Sequence, residues 1–432
     1  MNVSILTLFP NLYESFLKTS LVFRAHEKNI INSDLKSLFD FCLPKERVDG
    51  PTFGPGPGML IKPEVVEKAI EFQDNKHGKS FKIFFSPQGK KLTQPLLKSL
   101  LPKILQTNHL LLFASRYEGI DERVEQYYAD EVISLGDFIL MGGDLPAMCF
   151  LESFLRLLPS VIGKTESVEH ESFSGPFFDY PAYTEPVNWK CMEVPEVIRS
   201  GNHGLIEKFR EEAAVKKTVK NNFEWIKNYP LTHDQKKIIT KFIPGHYSVL
   251  MHGDILLKDK TVGTTSVTSL DIHDVARSSL TYGFKNYFIA TPLFDQQQIV
   301  NTLIDFWKSD YGKDYNSHRF QAINSVILVN NLDEVVEEIE KKEGKKPILI
   351  VTSAKKHDSK KYITYFDQEK VWAEERPVLI IFGTGHGLAP HIIEKCDFIL
   401  GPIGGFSDFN HLSVRAASSI VFDRWLGINP KY

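Results

Sequence analysis

The sequence predicts an α/β fold on a mainly parallel sheet, followed by a second α/β domain that repeats it. Three observations lead there: unbroken apolar segments of strand length, helical spacers between them, and the return of the same segments in the same order in the second half. Strands buried on both faces read as continuous apolar runs, and parallel neighbours need helical crossovers. At 432 residues the chain is long for one core, and roughly two to four domains are expected.

"VSILTLF" (3–9) is the first strand, stopped by Pro10, and "NLYESFLKTSLVFRAHEKN" continues as helix. "FGPGPGML" (53–60) alternates Pro and Gly, which excludes helix and regular strand. "FKIFFS" (81–86) is a buried strand, "PLLKSLLPKIL" (95–105) a helix and "HLLLFA" (109–114) a strand. "EVISLGDFIL" (131–140) is a further strand region broken by "MGGDLP", and "AMCFLESFLRLLP" (147–159) is an amphipathic helix. From 160 to 190 the chain turns polar and aromatic, a long loop of the kind that is functional or a linker. Residues 199–241 read as helical, with ten Lys or Arg against five Asp or Glu. A solvated helical face accounts for that charge as well as a nucleic-acid surface does.

After "KFIPGHYSVLMHG" (241–253), the segments "YFIAT" (287–291), "SVILV" (325–329), "PILIVT" (347–352), "PVLIIF" (377–382) and "DFILG" (397–401) are apolar strands with helical spacers. "IFFSPQGKKL" corresponds to "LIVTSAKKHD", "LLLFASRYEG" to "LIIFGTGHGL" and "DFILMGGDLP" to "DFILGPIGGF", each series ending in a helix. Recurring order at similar spacing marks an internal repeat.

Apolar content of 42%, charge content of 24% and a net charge of −3 are ordinary for globular proteins. Cys42, Cys149, Cys191 and Cys396 lie far apart without a CxxC pair, which fits reduced thiols rather than disulfides or a zinc site. The start lacks a basic and apolar leader, and no apolar run approaches the roughly 18 residues that span a bilayer. A soluble cytoplasmic protein without a membrane partner is expected.

Three loops follow three strands of the first domain: "SPQG" (86–89), "SRYEG" (115–119) and "LMGGDLP" (140–146). In an open parallel sheet the carboxyl ends of neighbouring strands form the ligand crevice, and Gly142 and Gly143 let backbone approach a ligand closely. The competing reading makes Arg116, Asp121 and Arg123 surface or interface ion pairs, and this loop alone favours it.

Taken in order along residues 1–243, "LTLFP", "GPGPGM", "SPQG", "RYEGIDER", "GDFILMGGDLPA" and "SGNH" resemble bacterial tRNA (guanine-N1)-methyltransferases of the SPOUT superfamily. The resemblance implies a trefoil-knotted S-adenosylmethionine-binding domain over 1–160 and a linker over 161–185 that closes over the active site. It further implies a small helical tRNA-binding domain over 186–244, a homodimer, and methyl transfer to N1 of the guanosine 3′-adjacent to the anticodon.

Such a transfer is an in-line displacement needing donor methyl and ring nitrogen in alignment. A base must remove the N1 proton as attack develops. A cation beside the guanine oxygen stabilises the charge that appears there. By the resemblance, Arg156 in "ESFLRLLP" supplies the cation. The family base is an aspartate in an "EDSF"-like motif, but this chain reads "HESF", so the matching acid is Glu171, preceded by His170. Three readings stand: Glu171 is the base after backbone adjustment, His170 takes over, or the site is weakened. Ser115 stands where the family usually has glycine.

The resemblance also implies that Ser86, Pro87 and Gly89 line the methionine and ribose side of the cofactor. Tyr117, Glu118 and Gly119 lie along it, Glu118 accepting a hydrogen bond. Leu135, Gly136, Phe138, Leu140, Gly142, Gly143 and Pro146 wrap the adenine. Leu135 and Leu140 are equally ordinary core candidates, and Pro146 an ordinary helix starter. Asp179 and Tyr183 are weaker candidates for RNA contact, and Asn202 and His203 serve equally as a helix cap. Family members often need magnesium, but no metal-ligand cluster is legible.

Residues 245–432 resemble a separate family of knotted RNA methyltransferase-like domains, through "VTSLDIHDVARSSLTYG", "FGTGHGLAP" and "NHLSVRAASSI". Gly383, Gly385, Gly387, Gly401, Gly404, Asn410 and Ser413 are its cofactor candidates; a lone GxGxG also occurs in dinucleotide sites. His386, His391 and Cys396 do not have zinc spacing. Asp271, His273 and Asp274 fit helix capping or a substrate site. The second domain reads as a methyltransferase for an unknown RNA, or as a dimerisation or docking module. For the whole chain, the alternatives to an enzyme are a tRNA- or cofactor-binding knotted dimer with weak or no turnover and, further off, a nicotinamide dehydrogenase.

Overall fold

Strands in the first half are β1 (Asn2–Thr7), β2 (Asn32–Ser37), β3 (Asp49–Pro51), β4 (Met59–Ile61), β5 (Phe81–Lys91), β6 (His109–Phe113) and β7 (Glu131–Ser134). In this computed structural model, which describes residues 1–54, 58–162, 171–355 and 361–431, the chain divides into two units, Met1–Ser174 and Gly175–Tyr432. The first unit carries a five-stranded sheet of order β2-β1-β6-β5-β7, with every pairing parallel. Both faces are buried. Val3, Ile5, Ile83, Leu110 and Leu112 pack under the helices Ser20–Glu27, Gln94–Thr107 and Asp144–Leu155. Leu6, Phe84, Leu111 and Phe113 pack under the helix Pro63–His77. That two-sided burial is why these strands read as unbroken apolar runs.

Four local expectations change. Met59 and Leu60, at the end of the Pro-Gly loop, are not outside regular strand but lie in β4 and pair with Pro51 and Gly50. β5 does not stop at residue 86 but continues to Lys91, with its register against β7 shifting between Phe85 and Lys90. The strand expected over 131–140 ends at Ser134, whose hydroxyl accepts from Gly136 N at 3.2 Å and turns the chain. The helix expected over 147–159 spans Asp144–Leu155. Residues 55–57 of the Pro-Gly loop and His170 lie outside the described residues.

The second unit opens with the hairpin β8 (Asn188–Trp189) and β9 (Met192–Glu193), then four helices, Glu196–Arg199, His203–Asn221, Phe223–Lys227 and His233–Ile239. Asn202 caps the long helix, accepting from Leu205 N at 3.2 Å, and Thr232 with Gln235 forms a capping box. Strands β10 (His246–Met251), β11 (Ile255–Leu256), β12 (Val262–Gly263), β13 (Asn286–Ala290), β14 (Val326–Val329), β15 (Ile348–Thr352), β16 (Tyr362–Ile363), β17 (Val378–Gly383) and β18 (Phe398–Leu400) follow. Seven of them form a sheet of order β14-β13-β10-β17-β15-β18-β16, again with parallel pairings. Its inner five, β13-β10-β17-β15-β18, repeat the order and direction of the first sheet, with one strand added at each edge.

The helices before β10 share a core with this sheet. Val215, Val219, Phe223, Ile226 and Ile239 join Trp372, Phe422 and Trp425 in one cluster. Phe223 meets Trp372 edge-on at 4.6 Å. His246, at the start of β10, is buried and accepts on Nε2 from the indoles of Trp425 (3.0 Å) and Trp372 (3.3 Å), while Nδ1 donates to Pro244 O at 2.7 Å. Neutral imidazole satisfies all three bonds, and burial pushes its pKa down to about 4.

Candidate active site

Where β5 changes register after Phe85, and at the carboxyl ends of β6 and β7, the structure opens a cavity of about 420 Å³. Ser86, Pro87, Tyr117, Glu118, Gly119, Leu135, Phe138, Leu140, Gly142, Gly143 and Pro146 line it. Two expected residues do not. A Cβ on Gly89 would fall 2.7 Å from the backbone of Val132 and Ile133, so this glycine lets β5 lie against β7. A Cβ on Gly136 would meet the Phe138 ring at 2.9 Å, behind the wall. Gly143 allows a close approach within the protein, since a Cβ there would fall 2.8 Å from Ser115 N, and a Cβ on Gly142 would meet the Arg116 side chain at 2.4 Å. Gly143 N also donates to Ser115 O at 2.8 Å, joining two of the three turns.

The wall is acidic. Glu118, Glu122 and Glu125 face the cavity, and burial, then the Glu122 charge, raises the Glu125 carboxyl. The cation there, Arg116, is already engaged. Its Nε donates to Asp144 Oδ2 at 2.7 Å, and a terminal nitrogen lies 2.6 Å from the same oxygen. Asp144 is buried at the first turn of its helix and also accepts from Thr7 Oγ1 (2.5 Å) and Tyr13 Oη (3.1 Å). Burial, and after it the Asp144 charge, drives the Tyr13 phenol far above its ordinary range. Asp121 and Arg123 form a local pair at 2.7 Å that caps the helix Glu122–Tyr128. The ion-pair reading of these three residues therefore holds, and Arg116 belongs to the cavity as well.

Arg156 and Glu171 pair side chain to side chain, both partly exposed. Neither is on the cavity wall. Arg156 caps the carboxyl end of the helix Asp144–Leu155, whose first turn borders the cavity. Twelve residues at 1.5 Å rise put about 18 Å between the two ends.

The second unit has a larger cavity of about 920 Å³ at the corresponding strand ends. Gly383, Gly385, Gly387, Gly401, Asn410 and Ser413 line it; Gly404 does not. Ser413 also caps the helix Val414–Leu426, and Asn410 donates to Ala354 O at 3.1 Å. The two units match in backbone detail. Tyr117 and Gly119 have φ of 59° and 111°, Gly385 and Gly387 have 58° and 105°. Glu118 N donates to Met59 O at 3.1 Å, as His386 N does to Leu256 O at 3.1 Å. Glu118 and His386 are thus equivalent, one position away from the pairing that the sequences suggest, because the loop after β17 is one residue shorter.

Comparison with known proteins gives the family of the chain. Residues 1–228 match the family model described as tRNA (Guanine-1)-methyltransferase TrmD. A tRNA (guanine-N(1)-)-methyltransferase of Nitratidesulfovibrio vulgaris is 37% identical over 99% of both chains. The chain belongs to the tRNA (guanine-N1)-methyltransferase family. Residues 246–427 match a second model, described as SAM-dependent RNA methyltransferase. The methyltransferase of that name from Oleidesulfovibrio alaskensis is 36% identical over 99% of both chains. A Bacillus velezensis member is 37% identical over 56% of this chain and 99% of its own. The solved tRNA (m1G37) methyltransferase of Aquifex aeolicus is 34% identical, covers 51% of this chain and 93% of that one, and superposes with a TM-score of 0.43.

Glu125, Ile139 and Met141 of this methyltransferase family member also line the first cavity, and sequence reasoning did not single them out; Ser115, beside the cofactor by the resemblance, and Arg116 and Glu122, in the charged cluster expected at the ligand crevice, line it too. For Glu125 a signal existed: it follows a strand-end loop on the first turn of a helix. No group of three or more His, Cys, Asp or Glu that could hold a metal occurs among the described residues. No helix among them is long and apolar enough to cross a membrane.

Proposed function

We propose that the first unit transfers a methyl group from S-adenosylmethionine to N1 of the guanosine 3′-adjacent to the anticodon of tRNA, in the cytoplasm and as a homodimer. The observation that carries this reading is the cavity at the register shift of β5 and the ends of β6 and β7, glycine-walled and acidic, in a chain of this family. S-adenosylmethionine supplies an electrophilic methyl on a positively charged sulfur. Glu118, Glu122 and Glu125 attract that charge. Gly142 and Gly143 let their turn pack against Arg116 and the Ser115 backbone, and the adenosine would rest against this turn, held by Arg116 and Asp144, within the loops that the SPOUT topology would knot.

Arg156 and Glu171 are the chemical pair: Glu171 takes the N1 proton, and Arg156 stabilises the charge on the neighbouring oxygen. Their place at the far end of the helix Asp144–Leu155 supports the homodimer, since a second copy would bring the pair of one chain to the cavity of the other. The linker 161–185 would close over the guanine, and the helices within 186–244 would bind tRNA phosphates through their excess of Lys and Arg. The second domain, 245–432, would use its own cavity for S-adenosylmethionine and an RNA acceptor. A tRNA- or cofactor-binding dimer without turnover is not favoured, since the chain retains an arginine and a carboxylate in the family's positions.

The test is transfer of labelled methyl to a tRNA transcript bearing that guanosine. Arg156→Ala and Glu171→Ala should each abolish it. Mixing Arg156→Ala with Gly143→Val, each inactive alone, should restore part of the activity through mixed dimers. Normal rates for Glu171→Ala would remove the acid from the chemistry, and no recovery on mixing would remove the shared site.

A further inference from the structure

Beside the second cavity lies a groove of about 320 Å³ that neither methyl transfer uses. Its walls come from both parts of the second unit: Glu224, Lys227 and Asn228 from the helical segment, and Tyr365, Phe366 and Arg424 from the sheet domain. Tyr365 is a wall of both spaces, and its hydroxyl donates to Gly401 O at 3.1 Å on the cavity side. The groove and the second cavity therefore lie on either side of Tyr365.

Three features of the groove suit a nucleic-acid strand. Phe366 is 74% exposed, so one face of its ring is open to a ligand in the groove. It sits in a turn fixed by Thr364, whose N and Oγ1 both donate to the Asp367 carboxylate at 2.6 and 2.7 Å. The Arg424 guanidinium lies 5.3 Å from the Tyr365 ring centroid with its residue exposed. Lys431, also on the groove, is pinned through its backbone, since Asn429 N donates to Lys227 O (2.7 Å) and Lys431 N to Asn228 O (2.9 Å). Lys227 itself is neutralised by Glu224 at 3.3 Å and donates to Arg424 O at 2.8 Å. The groove also carries the carboxylates Glu224 and Asp423, the first paired with Lys227, but it sets an open aromatic face in one space with Arg424 and Lys431, and single strands are held where bases stack and phosphates pair.

We propose that this groove is a second tRNA contact, in which an unpaired base stacks on Phe366 while the adjoining phosphates meet Arg424 and Lys431. RNA held by the helical segment is then led along Tyr365 to the second cavity, so the second cavity acts on tRNA. The inference rests on the reading that the helices before β10 bind tRNA and that the second cavity holds S-adenosylmethionine.

The experiment measures binding of a fluorescein-labelled, unmodified tRNA transcript to the full chain across a salt series. Two double variants are compared, Phe366→Ala with Lys431→Glu in the groove and Lys216→Glu with Lys220→Glu on the exposed helical face. The groove variant should bind roughly ten-fold more weakly, with a salt dependence flatter by about one released counterion. Its cofactor stoichiometry should stay that of wild type, since both substituted side chains are exposed. Unchanged affinity and salt slope in the groove variant, with loss in the helical variant, would overturn the groove and leave the helical reading standing. Loss in the groove variant alone would support the groove and remove the helical grip. A wild-type chain that does not bind tRNA would remove both.

Discussion

Arg116 and Asp144 tie two cavity turns together: Nε of the arginine lies 2.7 Å from a carboxylate that is 1% exposed and that Thr7 and Tyr13 also address. A buried carboxylate is tolerable because those donors compensate its lost hydration. Asp144→Ala removes the acceptor of all three and leaves the guanidinium, itself mostly covered, without its partner. Destabilisation of about 3 kcal/mol is expected, together with loss of S-adenosylmethionine from the first cavity. Chemical unfolding and cofactor calorimetry on the full chain check this; a variant of wild-type stability that still binds would show the tie to be incidental.

Glu171 is paired with Arg156 away from the cavity wall, so its substitution should separate chemistry from cofactor binding. Glu171→Gln keeps size and hydrogen bonding but cannot accept a proton. The methyl-transfer rate should fall by a factor of about 10² to 10⁴, with S-adenosylmethionine affinity unchanged. Glu171→Asp restores the residue type of the family motif but withdraws the carboxylate by one methylene. A carboxylate drawn back by about an ångström is expected to cost roughly a hundredfold in rate. A gain in rate would mean that the linker tolerates either acid. Single-turnover assays with labelled donor give both numbers.

The legible parts of the molecule are those whose cause is local. β6 and β10 announce themselves because burial on both faces demands continuous apolar residues. The edge strand β2, "NSDLKS", carries no such pattern; its residues are half-covered and its strand form comes from pairing with β1. The loop alone marked Gly142 and Gly143 as positions of close approach but not what they approach, the Arg116 side chain and the Ser115 backbone; Gly89 was not legible as a packing glycine, because the strand it admits lies more than forty positions away. The bond between Arg116 and Asp144 spans 28 positions and exists only once two turns meet. The distance of Arg156 from the cavity depended on where its helix began, which the sequence reading misplaced by three residues. Equivalence of Glu118 with His386 rests on φ angles that no alignment of letters reveals.

Buried histidines should make the second unit acid-sensitive. His246 is neutral when folded, with its pKa lowered to about 4 by burial, against about 6.5 for an unfolded histidine. Between those values the unfolded chain binds the extra proton, so stability falls as pH falls from about 6.5 to 4 and is complete above. The shift corresponds to about 3 kcal/mol at most. Burial lowers His252 and His273 in the same unit as well, so the slope will exceed that of one group. His246→Gln should unfold more easily at neutral pH but show a shallower acid decline. Denaturant midpoints measured from pH 7.5 to 4 test this, and an unaltered slope in the variant would exonerate His246.

Two cofactors per chain are expected, and they should be separable. Gly383 ends β17 at the mouth of the second cavity, where a Cβ would fall 2.8 Å from Leu388 Cγ and 3.1 Å from Leu388 N. Backbone on one side leaves a valine there no room, so the turn 384–387 must move. Gly383→Val should reduce S-adenosylmethionine stoichiometry from two to one by calorimetry, while methyl transfer by the first unit proceeds at its wild-type rate. The converse variant, Gly143→Val, should retain the second molecule and lose the first, because its Cβ would lie 2.8 Å from Ser115 N. If wild type binds one molecule, and Gly143→Val none, the second cavity is not a cofactor site and its GxGxG turn is structural.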